Sequence, residues 1–106
     1  MTLDRLIELL KQVDPQHTCK NGFRNPHSYR GYYERLAFEP APNVQVHEML
    51  YLAEEALGDT FFGYKGGTYF MHGGVRVHIA FYGQTDQKHY EDEGLTEQEL
   101  LDMLND

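Results

Sequence analysis

One segment constrains the fold more than any other feature of the chain, because large apolar side chains occupy every second position in it. Residues 75–82 (VRVHIAFY) place valine, isoleucine and phenylalanine at every second position. This alternation is typical of a strand with one buried face, which is common in antiparallel sheets. We predict that this strand pairs as a hairpin with residues 68–71, around a turn formed by His72, Gly73 and Gly74.

Three other segments carry apolar residues at helical spacing. The first spans residues 3–13 and follows a threonine suited to the N-cap position. The second spans residues 46–57 and is followed by Gly58, at a place where a left-handed C-terminal cap is common. The third follows Thr96, which can form a capping box with Glu99. These patterns predict three amphipathic helices.

Further extended segments complete the predicted architecture. Residues 17–23, 29–38 and 61–62 are typical of strands. Residues 39–43 (EPAPN) predict a loop, because proline is kept out of sheet interiors. We therefore predict one α+β domain over residues 1–106, with an antiparallel sheet of about four to five strands and three helices mainly on one face. The predicted order is α-β-β-α-β-β-α.

Negative charge is concentrated at the C-terminal end. The net charge is −8, and residues 86–106 hold eight acidic residues against one lysine. We interpret residues 90–94 as an acidic linker to the third helix. A chain this acidic lacks the positive surface that duplex nucleic acid requires, so duplex binding is not expected. Because no apolar run has membrane-spanning length and no signal peptide is recognisable, we expect a cytosolic protein without a membrane partner.

The sequence favours neither a metal site nor a cofactor. The single cysteine, Cys19, excludes an internal disulfide and a cysteine-rich zinc site, and we interpret it as a small buried strand residue. The six histidines are scattered, with no pair spaced to bind a metal on one helix face. We therefore assign no metal ligand, no cofactor and no catalytic residue, and we favour a non-enzymatic function.

Two glycine-rich motifs carry the strongest functional signal. They are residues 27–33 (HSYRGYY) and residues 63–69 (GYKGGTY), and each sets a cation between a tyrosine and a glycine. Glycine lets backbone N–H groups approach a ligand, the cation neutralises an anion, and tyrosine offers a stacking face and a hydroxyl. We therefore predict a site for a phosphorylated, nucleotide-like small molecule. Its candidate residues are Tyr29, Arg30, Gly31, Tyr64, Lys65, Gly66, Gly67 and Tyr69.

Each group of candidate residues has a separate role in this hypothesis. Arg30 and Lys65 hold phosphate, since a charge-assisted contact with an arginine or lysine is strong. The glycines supply backbone donors, and one of the three candidate tyrosines stacks on the base. The second motif is not a P-loop, because it lacks the glycine-lysine-serine/threonine block and its spacing.

The stretch of residues 21–83 resembles a group of small tailed-bacteriophage proteins. The motifs that carry the likeness include PHSYRGYY at residues 26–33, LAFEP at residues 36–40 and GYKGG at residues 63–67. The resemblance implies a phage origin and a role in the host cytoplasm, but it supplies no site residues. Small accessory phage proteins often counter host defence. By analogy, the chain is similar to sponges that sequester a nucleotide immune signal without cleaving it.

Two alternative functions stay open at the level of sequence. The first is an inhibitor that binds a host defence protein, with the acidic C-terminal segment acting as a nucleic-acid mimic. The second is a small hydrolase using His27 or His72 with an acidic partner; for His27 the candidates are Glu34 and Glu39.

We also expect the chain to form a homo-oligomer, most simply a dimer. Aromatic strands are more numerous than three short helices can cover, and open sheet edges invite pairing. The predicted interface is the strand face that carries Arg76, His78, Ala80 and Tyr82, since arginine and tyrosine are enriched at interface centres.

Overall fold

The computed structural model describes residues 1–29, 35–63, 65–80 and 94–105, and the part of the chain so described has an α+β fold with three helices and five strands. The number of strands agrees with the predicted four to five, and the order of helices and strands roughly matches the predicted one, with three strands instead of two between α2 and α3. The elements are α1 (Leu3–Leu10), β1 (Thr18–Ser28), β2 (Arg35–Gln45), α2 (Val46–Ala56), β3 (Thr60–Phe62), β4 (Thr68–Phe70), β5 (Arg76–Ile79) and α3 (Glu97–Leu104).

The strands form two sheets, so the prediction of a single antiparallel sheet is wrong. β1 pairs antiparallel with β2, and β5 pairs parallel with β2 to give a mixed sheet in the order β1-β2-β5. β3 and β4 form a separate antiparallel hairpin. The predicted hairpin between residues 68–71 and 75–82 is therefore also wrong. The residues of β4 are already paired with β3, and the chain after His72 crosses to the far side of β2.

The β1–β2 pair is longer than the sequence predicts. β2 continues through residues 39–43, which were expected to form a loop. Pro40 and Pro42 are tolerated because, among the described residues, β5 pairs with β2 only as far as Phe38 and no described strand pairs with the later part of β2 on that side. The missing proline N–H groups can face that side without leaving a ladder partner unsatisfied.

The helices end where local signals predict, apart from a shorter α1. The Thr2 side chain accepts a hydrogen bond from the Arg5 amide at the start of α1. Gly58, just beyond α2, has φ +88°. At α3 the predicted capping box is confirmed, because Glu99 N–H donates to Thr96 Oγ1 at 3.1 Å and Thr96 N–H donates to Glu99 Oε1 at 3.0 Å. These contacts satisfy amides that the first helical turn leaves without partners.

One hydrophobic core connects the helices with the mixed sheet. α1 packs on α2, and both α2 and α3 pack on β1. Phe23 of β1 and Phe38 of β2 are fully buried, with ring centroids 4.5 Å apart. Cys19 is also fully buried in β1, which confirms its interpretation as a strand residue of the core.

The predicted dimer face of β5 is partly buried within the chain itself. His78 is only 3% exposed, so it is not available to a second copy. Arg76 is exposed and Ala80 is partly exposed, whereas Tyr82 lies outside the described residues. The side of β5 away from β2 is also occupied: Val77 N–H donates to the Met1 carbonyl, and Leu95 N–H donates to the Val77 carbonyl.

Candidate ligand-binding site

The two glycine-rich motifs meet through the side chain of Tyr69. Its hydroxyl oxygen lies 2.7 Å from Ser28 Oγ and 3.1 Å from the carbonyl oxygen of Arg35. Because a carbonyl only accepts, the Tyr69 hydroxyl donates to Arg35 and the Ser28 hydroxyl donates to Tyr69. Ser28 belongs to the first motif and Tyr69 to the second. The contact therefore joins segments that lie about 40 residues apart in the sequence.

Strand alternation explains why Tyr69 reaches this position. In the β3–β4 hairpin Tyr69 pairs with Phe61, and both side chains are partly buried on the side that faces the rest of the domain. Their neighbours Phe62 and Phe70 point to the opposite, exposed side. The hydroxyl of Tyr69 then lies between the last residue of β1 and the first residue of β2.

A second cluster holds the same two strand ends from the side of β5. The Tyr29 ring stacks on the His78 ring with centroids 3.8 Å apart and planes 1° apart. Arg35 Nη1 lies 3.1 Å from His78 Nε2. Since a guanidinium has no acceptor, it donates to Nε2, and the proton of the neutral imidazole is then on Nδ1. His78 thus contacts the residues on both sides of residues 30–34.

The structure does not support Tyr29 as a stacking platform for a ligand. Its side chain is 3% exposed, and its ring already stacks on His78. Tyr29 therefore belongs to the framework of the site, because a buried ring has no face to offer to a base. Tyr69 is partly exposed and keeps that possibility.

The second motif forms the turn of the β3–β4 hairpin. Gly63 N–H donates to the Gly67 carbonyl at 2.7 Å, and Gly66 N–H donates to the Gly63 carbonyl at 3.0 Å. Gly66 has φ +89°, a left-handed conformation that glycine adopts without steric penalty. Lys65 is exposed on this turn. A flexible cation beside glycine backbone is an arrangement that can contact a phosphate group.

Of the eight predicted site residues, the structure describes five. Lys65, Gly66, Gly67 and Tyr69 lie together on the hairpin, and Tyr69 connects them to the strand end next to Tyr29. The predicted residues Arg30, Gly31 and Tyr64 lie outside the described residues.

Three residues of the cluster were not among the predicted site residues. Ser28 and Arg35 flank the predicted tyrosine-arginine-glycine segment, so their position in the sequence was a usable signal. His78 gave no such signal, because a histidine between valine and isoleucine fits an exposed strand face as well as a buried one. Only the fold places it beside Tyr29.

The histidines of the hydrolase hypothesis bond to the main chain. His27 Nε2 lies 2.9 Å from the Ala80 carbonyl oxygen, and His27 Nδ1 lies 3.1 Å from that of Ser28. His72 Nδ1 accepts a hydrogen bond from the Gly74 amide. Side-chain to main-chain hydrogen bonds of this kind stabilise loops and strand ends. They give the hydrolase hypothesis no support. Within the described ranges, no three His, Cys, Asp or Glu side chains are grouped as metal ligands.

A shallow hollow on the β1–β2 pair is a poor alternative site. Its volume is about 190 Å³, below the range of about 300–1,000 Å³ typical of small-molecule sites. It offers no charged group, since its lining residues are Asn21, Gly22, Pro40, Ala41 and Pro42. The junction of the two motifs is therefore the better candidate for an anionic ligand.

Comparisons with known proteins add no further assignment. No protein-family model, no curated protein and no solved structure matches the chain. Across the described residues, no helix is both long and apolar enough to cross a membrane.

Proposed function

We propose that this chain binds a phosphorylated, nucleotide-like small molecule at the junction of the two glycine-rich motifs and releases it chemically unchanged. The observation that carries the proposal is the Tyr69 hydroxyl, which bonds to Ser28 and to the Arg35 carbonyl. This contact holds the hairpin with Lys65 beside the strand ends that flank Arg30. In this proposal Lys65, Arg30 and the three motif glycines serve one site, where a phosphate can contact them together.

The roles within the proposed site follow the chemistry of the residues. Lys65 and Arg30 bind phosphate, while Gly31, Gly66 and Gly67 let backbone N–H groups approach it. Tyr69 and Tyr64 are the candidates for stacking on the base, since Tyr29 is buried. Tyr29, Arg35 and His78 fix the strand ends and act as the framework.

We further propose that the ligand is a nucleotide signal of a bacterial host and that the protein sequesters it in the host cytoplasm as a phage countermeasure. The support is the resemblance of both motifs to small phage proteins. The alternative hypothesis, an acidic inhibitor of a host defence protein, depends on the acidic C-terminal segment of residues 86–106, of which residues 86–93 and 106 lie outside the described residues. That alternative requires no nucleotide binding, so a ligand screen separates the two.

The first prediction concerns the cations of the site. A thermal-shift screen of nucleoside phosphates and cyclic dinucleotides is expected to find a compound that raises Tm, because a ligand at about 100 times its Kd stabilises the native state by about 2.7 kcal/mol. With that compound, Lys65→Ala and Arg30→Ala should each weaken binding by about 1.5–3 kcal/mol, the loss expected for a charge-assisted contact. Calorimetry measures the change.

Lys11→Ala is the matched control. Lys11, at the end of α1, is exposed, and its Nζ lies 3.8 Å from Oε2 of Glu54 on α2 in a surface ion pair. Its removal should leave affinity unchanged within about 0.5 kcal/mol. The proposal is wrong if no compound in the screen raises Tm, or if the two site variants bind as tightly as the control.

The second prediction concerns the fate of the ligand. After incubation and heat denaturation of the complex, chromatography should recover the compound intact and in full, because His27 and His72, the histidines of the hydrolase hypothesis, bond to main-chain groups. A cleaved product that forms only with protein would contradict sequestration. His27→Ala and His72→Ala would then be tested for loss of cleavage, since a general base must lie within hydrogen-bond reach of the reacting group.

A further inference from the structure

The outer face of the β3–β4 hairpin is an exposed aromatic surface. Phe62 is 73% exposed and Phe70 is 58% exposed, and they share this face with Thr60 and Thr68. We call these four residues the hairpin face. Two phenylalanines this exposed on one small sheet are unusual for a surface that only contacts water, because burying each ring would be favourable by about 1.5–3 kcal/mol.

The mixed sheet, in contrast, is protected against edge pairing. The far side of β5 is covered by main-chain bonds from the Met1 and Leu95 segments. The part of β2 that pairs with no described strand on the β5 side carries Pro40 and Pro42. The edge strand β1 has an exposed lysine and a register irregularity between Arg24 and His27. Charged residues, prolines and bulges all oppose edge-to-edge association, so we do not expect a second copy to extend this sheet.

We propose that a second copy of this chain packs on the hairpin face through a twofold axis that runs across the strands, so that the two hairpins lie antiparallel. Charge favours this arrangement. The chain has a net charge of −8, so two copies repel except where the contact surface is neutral, and the four residues of the hairpin face carry no charge. A twofold axis also makes the contact closed and self-complementary.

The ends of the hairpin select the antiparallel alignment. Lys65 is exposed at its tip, and Asp59 is exposed at its base, immediately before Thr60. In the antiparallel dimer the tip of each hairpin lies over the base of the other, which brings Lys65 towards the partner's Asp59 twice. A parallel alignment would place lysine against lysine and aspartate against aspartate, which is repulsive.

The exposed area matches a small but specific interface. A phenylalanine side chain presents about 200 Å² when fully exposed, so the two rings together expose roughly 260 Å² per chain at their observed exposures. Two copies then bury roughly 520 Å² of aromatic surface. Since roughly 56–65% of an interface is apolar, the total is roughly 800–930 Å². This total lies just below the roughly 1,000 Å² that a stable biological interface exceeds, so we expect a weak dimer.

Light scattering over a concentration series tests the proposal on the ligand-free chain. The wild-type mass should rise from 12.4 kDa towards twice that value between micromolar and near-millimolar concentration. Phe62→Ser and Phe70→Ser should each raise the dimer Kd by about tenfold or more, as expected for a central aromatic residue. Tyr51→Ser is the control, because Tyr51 is an exposed aromatic residue on α2 whose exposure, 53%, is close to that of Phe70. The proposal is overturned if the wild type is monomeric at every concentration, or if Tyr51→Ser raises the dimer Kd as much as the phenylalanine substitutions do.

A charge exchange tests the antiparallel alignment separately. Lys65→Glu and Asp59→Lys should each weaken the dimer, and the double variant should restore it, because the exchanged charges attract again across the twofold axis. Circular dichroism confirms that each variant is folded. A double variant that dimerises no better than the single ones overturns the alignment. Both experiments omit nucleotide, so their outcome is independent of the proposed ligand.

Discussion

Phe38→Ala is expected to remove about 3–5 kcal/mol from the free energy of unfolding, the range measured for deletion of a buried phenyl ring. Phe38 is 0% exposed, and its ring lies 4.5 Å from that of Phe23. It is also the last residue of β2 that pairs with β5, opposite Ile79, and its carbonyl accepts a hydrogen bond from Ala80 N–H. The cavity would therefore open where all three strands of the mixed sheet meet.

The expected loss is large relative to the total free energy of unfolding. Domains of this length are stable by about 5–15 kcal/mol, so the variant should unfold at a much lower urea concentration or be partly unfolded in water. Urea titration followed by circular dichroism measures the change. Phe62→Ala is the control, at a concentration where the chain is monomeric. Because Phe62 is 73% exposed, its replacement should change the free energy of unfolding by no more than about 0.5 kcal/mol. Similar losses in both variants would contradict the described core.

Local signals predicted the elements whose formation depends on neighbouring residues. The capping box of Thr96 and Glu99 and the left-handed Gly58 were identified from a few adjacent positions, and the structure confirms both. Helix ends depend on side chains within one turn, so the sequence contains the information directly. The alternation of β5 was likewise sufficient to identify a strand.

Strand pairing was not predictable in the same way. The short turn of His72, Gly73 and Gly74 fitted a hairpin, but β5 crosses over to pair in parallel with β2. Pairing depends on which distant strand has a free edge, and that choice is made by the whole core. Pro40 and Pro42 show the same effect, since a rule against proline in sheets fails on a strand side where, within the described ranges, no neighbouring strand pairs.

The sequence predicted which residues belong to the candidate site, but it did not predict their contacts or their burial. Composition and spacing selected both glycine-rich motifs, and the Tyr69–Ser28 contact brings described parts of them together. The sequence could not show that Tyr29 is buried while Tyr69 is partly exposed, because both are tyrosines in similar settings. Burial of Tyr29 depends on His78, which is nearly 50 residues away in the chain.

Gly94→Ala is expected to destabilise the fold by about 3 kcal/mol, through two separate physical effects. Gly94 has φ +75°, a conformation in which an L side chain is disfavoured by about 1–2 kcal/mol. In addition, a Cβ at this position would lie 2.3 Å from the Val77 carbonyl oxygen and 2.9 Å from His78 Nδ1. Since a backbone oxygen cannot move away easily, the Leu95 N–H bond to that carbonyl, 2.8 Å long, should be lost or stretched.

Gly66→Ala provides the matched control for this substitution. Gly66 also has a positive φ, +89°, but among the described residues no atom outside its chain neighbours lies within 4 Å of the position of its Cβ. Gly66→Ala should lower the free energy of unfolding only by the cost of a positive φ for an L residue, about 1–2 kcal/mol. The difference between the two variants in urea titration therefore measures the contact of residue 94 with β5. Because Leu95 and Leu100 are buried beyond that contact, Gly94→Ala should also expose α3 to faster amide hydrogen exchange. Equal destabilisation by the two glycine substitutions, with α3 unaffected, would show that Gly94 does not pack against β5 in solution.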